Sequence, residues 1–206
     1  AIVRVWDLAS GRMLERFAGH TGPVADVSFS PDGATIISVG SDKTTRVWTP
    51  AASRVFVAAE GKVIDVSLSG DGSLLAIAGE DKKIKLINTA DGAVTGELTT
   101  GEAASTSVSL RGDKTQLAAA TSDMKLHIWP LAADKPGAVA AYAAPAVLTR
   151  LRFNADGTRL AAAAADKSLL TFDPADGLLL ENVSVAEAPA ALAFAFPAGR
   201  NSRGWP

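Results

Sequence analysis

The sequence predicts an all-β protein assembled from repeated four-stranded antiparallel sheets. Three observations support this prediction: a repeat of about 40 residues, short apolar runs with strand-like alternation, and turn residues at fixed places between the runs. The repeated segment is clearest in VSFSPDGATIISVGSDKTTRVW. It returns three times, as VSLSGDGSLLAIAGEDKKIKLI, VSLRGDKTQLAAATSDMKLHIW and LRFNADGTRLAAAAADKSLLTF.

The four copies keep one register without internal gaps. Their first residues are Val27, Val66, Val108 and Leu151, at steps of 39, 42 and 43 residues. Three further columns follow five, fifteen and twenty-one residues after each start: Asp32, Asp71, Asp113 and Asp156; Asp42, Asp81, Asp123 and Asp166; Trp48, Ile87, Trp129 and Phe172. All variation in length falls between the copies, where loops tolerate it.

Each copy predicts three strands, and the segment after it predicts a fourth. In the first copy VADVSFS alternates, ATIISVG is a short buried run, TTRVWT alternates again, and RVFVAA follows. The Pro-Asp-Gly and Gly-Asp-Gly sequences favour hairpin turns, and the Asp of the second turn is expected to accept a hydrogen bond from the amide two residues on. Alanines at 161–165 alone favour a helix, but the register predicts a strand packed on both faces.

The repeat continues past both ends of the four copies. Trp6 lies 42 residues before Trp48, and Leu192 lies 41 residues after Leu151. We therefore expect a single segment, residues 1–206, cut from a longer array: a partial unit at 1–18, units at 19–58, 59–100, 101–143 and 144–185, the start of another at 186–197, and an irregular tail at 198–206. Residues 132–146 are expected to form a long loop and a poor outer strand. A small ring closes if the N-terminal strands pair with residues 190–196, but that composite blade lacks a second strand. Unpaired strand edges therefore predict a segment that is marginally stable or self-associating.

Composition limits the functions that fit this chain. A hydrophobic content of 48% fits a folded protein, and a net charge of −2 gives no reason to expect nucleic acid or an anionic membrane as a partner. There are no cysteines, which excludes disulfides, thiolate metal sites and thiol catalysis. The sequence holds no uncharged apolar run of 18 residues, so no membrane-spanning helix is predicted.

Several short motifs match a known family in the same register. They are Trp6-Asp7 at the end of the partial unit, Gly19-His20 before the first full copy, and Ser30-Pro31-Asp32-Gly33 at its first turn. With their spacing, the units resemble the WD repeats of β-propeller proteins over about residues 2–196. The resemblance implies a β-propeller of four-stranded antiparallel blades, with four full blades and partial blades at both ends.

The resemblance also implies a structural tetrad inside a blade, made of a His, a Ser or Thr, the turn Asp and the Trp. The first full unit has all four, as His20, Ser38, Asp42 and Trp48. The other units keep the turn aspartates Asp81, Asp123 and Asp166. At the His position they carry Ala59, Gly101 and Ala144, and at the Ser position Ile77, Ala119 and Ala162. We expect those blades to depend more on packing.

No catalytic, cofactor-binding or metal-binding residue is predicted. The chain has two histidines: His20 takes a tetrad position, and His127 stands near Trp129 without a carboxylate cluster beside it. The recurring aspartates stand in turn contexts, which favours a structural role over paired-carboxylate catalysis. Neither a glycine-rich dinucleotide fingerprint nor a P-loop occurs.

The remaining prediction is a binding surface on rigidly held loops. In the family that the units resemble, residues beside the turn Asp often touch partner proteins; here they are Ser41, Glu80, Ser122 and Ala165. The sequence thus predicts a non-catalytic scaffold for a protein or peptide partner. One alternative is an accessory propeller of a larger multidomain protein, such as a bacterial one, whose catalytic or redox domain lies outside this sequence. Another is an enzyme with its site in the central channel, which needs converging polar residues where the inner strands carry mostly Ala, Ser and Val.

Overall fold

The chain folds as successive small antiparallel sheets. The computed structural model describes residues 1–7, 10–30, 35–49, 52–57, 62–132, 135–136, 140–187, 189 and 192, and in these ranges all regular structure is β-strand. The all-β prediction is confirmed. Within the same residues there is no helix with the length and apolarity needed to cross a membrane.

A two-stranded sheet, β1 (Ile2–Trp6) with β2 (Met13–Ala18), precedes four larger sheets, which we name blades 1 to 4. Blade 1 contains β3 (Val24–Phe29), β4 (Ile36–Gly40), β5 (Thr44–Thr49) and β6 (Ala52–Val57). Blade 2 contains β7 (Val63–Leu68), β8 (Leu74–Gly79), β9 (Lys83–Asn88) and β10 (Val94–Thr99). Blade 3 contains β11 (Ser105–Leu110), β12 (Gln116–Thr121), β13 (Lys125–Ala132), the short β14 (Lys135–Pro136) and β15 (Ala140–Ala143). Blade 4 contains β16 (Leu148–Phe153), β17 (Leu160–Ala164), β18 (Ser168–Phe172) and β19 (Leu179–Ser184).

The blades form a four-bladed β-propeller, as the sequence predicted. Neighbouring strands in each blade pair antiparallel in chain order. The first strand of each blade is the innermost: β3 packs on β7, β7 on β11, and β11 on β16. Ser28, Ser67, Ser109 and Arg152, one from each inner strand, line one common cavity, so the four inner strands surround a central channel.

Three apolar layers between the blades make up the core. In the layer between blades 2 and 3, for example, Leu74 and Leu86 meet Leu117 and Trp129. Equivalent layers join blade 1 to blade 2 and blade 3 to blade 4. These layers cover the second strands of blades 2 and 3 on both faces and those of blades 1 and 4 on one face, and Ala162 and Ala164 on β17 are fully buried. Small side chains fit between closely packed sheets, and here packing overrides the helical preference of alanine.

Blade 3 has a modified outer edge. Its third strand, β13, pairs first with the two-residue β14 and then with the four-residue β15. The expected loop with a poor outer strand thus takes the form of two short strands that share one neighbour.

The β1–β2 sheet covers only part of the face that blade 1 presents to it. Val3 on β1 packs with Ile36 and Trp48, but Val27 on the inner strand is 43% exposed whereas its equivalent Val66 is 1% exposed. Trp6, the equivalent of Trp48, is 53% exposed.

Several sequence predictions lie outside the described residues: those for Asp32 and the rest of the Pro-Asp-Gly turn, Ala59, most of residues 190–196, and the tail at 198–206.

Candidate functional site

The four predicted tetrad side chains of blade 1 form one hydrogen-bonded chain. Trp48 Nε1 on β5 donates to Ser38 Oγ on β4 at 2.8 Å, and Ser38 Oγ lies 2.8 Å from His20 Nε2. His20 Nδ1 lies 3.0 Å from both carboxylate oxygens of Asp42. Since a carboxylate only accepts, we assign the ring hydrogen to Nδ1, and Nε2 accepts from the Ser38 hydroxyl.

Asp42 is an acceptor for several groups at once. Burial tends to raise its pKa, but hydrogen bonds from the Thr44 hydroxyl, the Thr21 amide and His20 outweigh burial, so the pKa of Asp42 lies well below its ordinary range. The carboxylate therefore remains charged at neutral pH. It connects the segment before β3 to the turn between β4 and β5.

Two glycines leave room for the tetrad. A Cβ on Gly40 would stand 2.5 Å from His20 Nδ1, and a Cβ on Gly19 would stand 2.6 Å from the guanidinium of Arg46. The Arg46 guanidinium lies over the Trp48 ring at 5.7 Å, a cation–π geometry. Blade 1 is thus built around a buried polar centre with little free space.

The other blades lack the full tetrad. At the Ser38 position, Ile77, Ala119 and Ala162 are all buried in the apolar layers between blades. In blade 3, Trp129 stacks on His127 with ring centroids 5.6 Å apart, in the place that Arg46 takes over Trp48. His127 is buried, neither of its ring nitrogens has a hydrogen-bond partner, and burial lowers its pKa. An imidazole held neutral without partners fits a packing role, and no group of residues able to hold a metal ion occurs in the described part of the chain.

The predicted partner-binding residues occupy equivalent places at one end of the propeller. Ser41, Glu80, Ser122 and Ala165 are exposed, and each is the first residue of the turn between the second and third strands of its blade. Each backbone N–H donates at 2.9 Å to the carbonyl of the residue that stands just before the first strand: Pro23, Lys62, Ala104 and Val147. We name this set the turn platform.

The aspartates beside the turn platform close these turns. Asp42, Asp81 and Asp166 each accept from the backbone N–H two residues on, at 3.1–3.2 Å. In blade 3, Asp123 instead accepts from the Thr121 hydroxyl at 2.6 Å. The residue after each Asp takes a positive φ of 60–71°: Lys43, Lys82, Met124 and Lys167. The four turns therefore share one backbone geometry.

Sequence reasoning missed a polar network on the inner strands. Asp65 on β7 is 3% exposed and accepts from Ser107 Oγ at 2.5 Å and from the Val108 amide at 2.9 Å, both on β11. Ser107 Oγ in turn accepts from the Leu151 amide on β16 at 3.0 Å.

A second row of contacts runs parallel to the first. Ser67 Oγ accepts from the Leu110 amide at 2.8 Å, and Ser109 Oγ accepts from the Phe153 amide at 3.1 Å. An innermost strand has no neighbouring strand on its axial side, so the backbone N–H groups on that side need other acceptors. Side chains of the preceding blade supply them. The signal in the sequence was the polar residue on either side of each apolar repeat start.

Blade 4 reverses the polarity of this network. Where blades 2 and 3 carry acceptors, it carries Arg150 and Arg152, each of which donates to the carbonyl of the residue before it. Arg152 Nη1 lies 4.0 Å from Asp65 Oδ2. Asp26 in blade 1 is the equivalent of Asp65 in blade 2. Burial and the charge of Asp65 raise the pKa of Asp26, and both arginines act against this shift. The expectation that the inner strands lack converging polar residues is therefore wrong.

The repeats match a known family. Residues 11–49 and 52–88 match the model of the WD domain, G-beta repeat. These two segments are WD repeats, and they lie within a fold that is a four-bladed β-propeller. Such propellers commonly bind proteins and are typically not enzymes, which supports a protein-interaction scaffold in general terms.

Curated relatives are WD-repeat proteins that match over short segments. The chain is 36% identical over 47 residues to the Periodic tryptophan protein 2 homolog of Neurospora crassa, a match covering 23% of this chain and 5% of that protein. It is 43% identical over 47 residues to the human WD repeat and SOCS box-containing protein 1, a match covering 22% of this chain and 11% of that protein. It is 44% identical over 54 residues to a WD repeat-containing protein of Synechocystis, a match covering 26% of this chain and 16% of that protein. The matched segments are thus a small part of each relative's length.

Proposed function

We propose that this chain is a non-catalytic scaffold that binds a protein or peptide partner across the turn platform. The observation that carries this proposal is the fourfold repetition of one exposed, hydrogen-bonded turn at one end of the propeller. Loops held on a rigid framework lose little conformational freedom when they bind, so more of the contact energy remains as affinity.

The chemistry of the turn platform favours a polar partner segment. Glu80 in blade 2 contributes a negative charge, while Lys43 in the neighbouring blade 1 and Lys167 in blade 4 are exposed in the equivalent turns. Lys82 is paired with Glu102 at 3.2 Å. A surface with both signs of charge and few apolar groups suits an extended peptide with mixed charge better than an apolar helix.

The alternative of an accessory propeller is supported by the comparisons with relatives. The matched segments cover 5–16% of the three relatives described above. A propeller of this kind would serve a longer protein by the same turn platform, and its function would be that of the larger assembly.

The central-channel enzyme is less well supported. Asp65, Ser67, Ser107 and Ser109 all accept hydrogen bonds from backbone amides of the next blade. Their oxygens are used to satisfy inner strands, which favours a structural role over general acid–base catalysis.

Selection from a random peptide library on the immobilised chain tests the proposal. Selected peptides are then titrated against a double variant of the turn platform, Glu80→Lys with Ser122→Arg. We expect affinity to fall about tenfold or more, because both substitutions add bulk and positive charge to the contact surface.

A matched control variant carries Glu181→Lys with Ser184→Arg, which makes the same changes on the exposed outer strand β19. Its affinity for the selected peptides is expected to equal that of the unsubstituted chain. Equal binding by the turn variant and the control variant would refute the proposed surface.

A further inference from the structure

A cavity of about 410 Å³ lies at the end of the channel opposite the turn platform. Each inner strand begins beside a turn of the platform, as the Ser41 amide contact to Pro23 shows, and runs toward the opposite end. The cavity is lined by the distal parts of these strands and by the turns that follow, including Phe29, Asn154 and Ala155. A volume of this size is within the range of small-molecule and peptide-end sites.

The polar groups that line the cavity are mainly hydrogen-bond donors. Ser67 and Ser109 each use their oxygen to accept a backbone N–H from the next blade, and neither hydroxyl hydrogen has an acceptor among the described residues. A serine hydroxyl can donate while it accepts. Both hydroxyls are therefore available to an acceptor in the cavity.

Arg152 adds a positive charge to the same cavity. One of its N–H groups donates to the Leu151 carbonyl, and a guanidinium has five in all. The nearest carboxylate is that of Asp65, at 4.0 Å from Nη1. Asp65 already accepts from the Val66 and Val108 amides and from the Ser107 hydroxyl, so the guanidinium retains donors for a ligand.

Apolar groups make up the rest of the lining. Phe29 is 49% exposed, although its equivalents on the other inner strands are more buried, and Leu68 and Phe153 line the cavity beside it. Gly70 and Gly112 approach each other at the rim, where the Gly70 amide donates to the Gly112 carbonyl at 2.8 Å. A side chain on Gly70 would collide with that carbonyl.

We infer that this cavity binds a carboxylate carried on an apolar group. Arg152 pairs with the carboxylate, Ser67 and Ser109 donate to its oxygens, and the apolar group packs on Phe29 and Phe153. The carboxylates of Asp26 and Asp65 oppose an anion from the channel side, and Arg150 offsets them. The carboxylate belongs either to a small organic acid or to the C-terminus of a peptide with an apolar last residue.

Calorimetric titration of the full chain with four probes tests this inference. The probes are 3-phenylpropionate, its primary amide, and a pentapeptide ending in Phe with a free or an amidated C-terminus. We expect each carboxylate to bind about tenfold or more tightly than its amide, since a hydrogen bond to a charged group contributes more than one to a neutral group. Tighter binding of the free peptide assigns the site to a chain terminus, and equal or tighter binding of 3-phenylpropionate assigns it to small acids.

Three variants locate the binding. Arg152→Gln is expected to lose about tenfold or more in carboxylate affinity, as is Ala155→Asp, which adds a repelling charge at an exposed position without removing an internal contact. Arg159→Gln is the matched control, because Arg159 belongs to the same blade, also donates to the preceding carbonyl, and is exposed outside the cavity.

Thermal unfolding establishes that each variant is folded. Equal affinity for acid and amide, unchanged binding by both Arg152→Gln and Ala155→Asp, or no saturable binding of any probe overturns the inference.

Discussion

Trp48 and Ser38 are joined by a buried hydrogen bond of 2.8 Å, and the same Ser38 oxygen continues the chain to His20. In blade 3 the equivalent tryptophan, Trp129, has Ala119 where Ser38 would stand, and it packs in an apolar layer instead. Blade 1 therefore combines a polar centre with apolar packing, and blade 3 depends on packing at that position.

The substitution Ser38→Ala tests the polar centre. It leaves Trp48 Nε1 and His20 Nε2 buried without their partner, so the free energy of unfolding is expected to fall by about 1–3 kcal/mol. Urea denaturation at neutral pH measures this change. Ser122→Ala, at an exposed turn, is the control and is expected to change stability by less than about 0.5 kcal/mol. Equal effects of the two substitutions would contradict the role given to Ser38.

The substitution Gly40→Ala tests the space around the tetrad. The new Cβ would stand 2.5 Å from His20 Nδ1 and 2.7 Å from Asp42 Oδ1, so the imidazole must move and its bond to Asp42 must lengthen. We expect a loss of about 1–3 kcal/mol, the usual range for overpacking, and a large change in the His20 ring resonances in an NMR spectrum. Gly112→Ala is the matched control, because its Cβ would meet nothing closer than 3.8 Å. Unchanged His20 resonances in Gly40→Ala would show that the site is less constrained than described.

The substitution Ser107→Ala tests the contact between blades. It removes a donor to Asp65 and the acceptor for the Leu151 amide, so one side chain connects blades 2, 3 and 4. We expect a loss of about 2–3 kcal/mol, because a charged and a neutral hydrogen bond are broken together. Ser109→Ala removes only the acceptor for the Phe153 amide and is expected to cost about 1 kcal/mol. Chemical denaturation of both variants compares them, and a larger loss for Ser109→Ala would contradict this ranking.

The substitution His127→Phe tests the stacked pair in blade 3. Burial lowers the pKa of His127, with Asp123 opposing this shift and Lys125 adding to it. As the pH falls below about 6.5, the unfolded chain therefore takes up a proton before the folded chain does, and stability is lost. Phe keeps the ring stacking and removes the two unpartnered nitrogens. We expect the variant to be more stable than the parent by about 1 kcal/mol at neutral pH.

The advantage of His127→Phe is expected to grow between pH 7 and pH 5. His20 is present in both proteins, so the difference between their stability curves isolates His127. Thermal unfolding at several pH values gives this difference. A constant difference across the range would show that His127 titrates alike in the folded and unfolded chains.

The sequence was sufficient to predict the strands, because the repeat register constrains each strand four times. Residues 161–165 show this most clearly, since local propensity favours a helix and the spacing to Asp166 and Phe172 indicates a strand. β17 is a strand because it pairs with β16 and β18, and because blade 3 packs on it closely enough to leave Ala162 and Ala164 fully buried. The turn hydrogen bonds of Asp81 and Asp166 were also predictable, because an Asp in a turn commonly accepts from the backbone N–H two residues on.

Contacts between blades were not predictable from the sequence at this level. The hydrogen bonds of Ser107 with Asp65 and Leu151 depend on how closely inner strands of adjacent blades approach each other. The repeat register describes strand pairing within one blade and does not determine that distance. The stacking of Arg46 and His127 on tryptophans two residues further on was also missed, because a cation and a neutral ring take the same position by different interactions.

Hydrogen–deuterium exchange with and without a library-selected peptide tests the scaffold function most directly. We expect slower exchange on binding at the turns that contain Ser41, Glu80, Ser122 and Ala165, with no change on the exposed outer strand β19. Protection confined to β19 or to other outer strands, with the four turns unchanged, would contradict it.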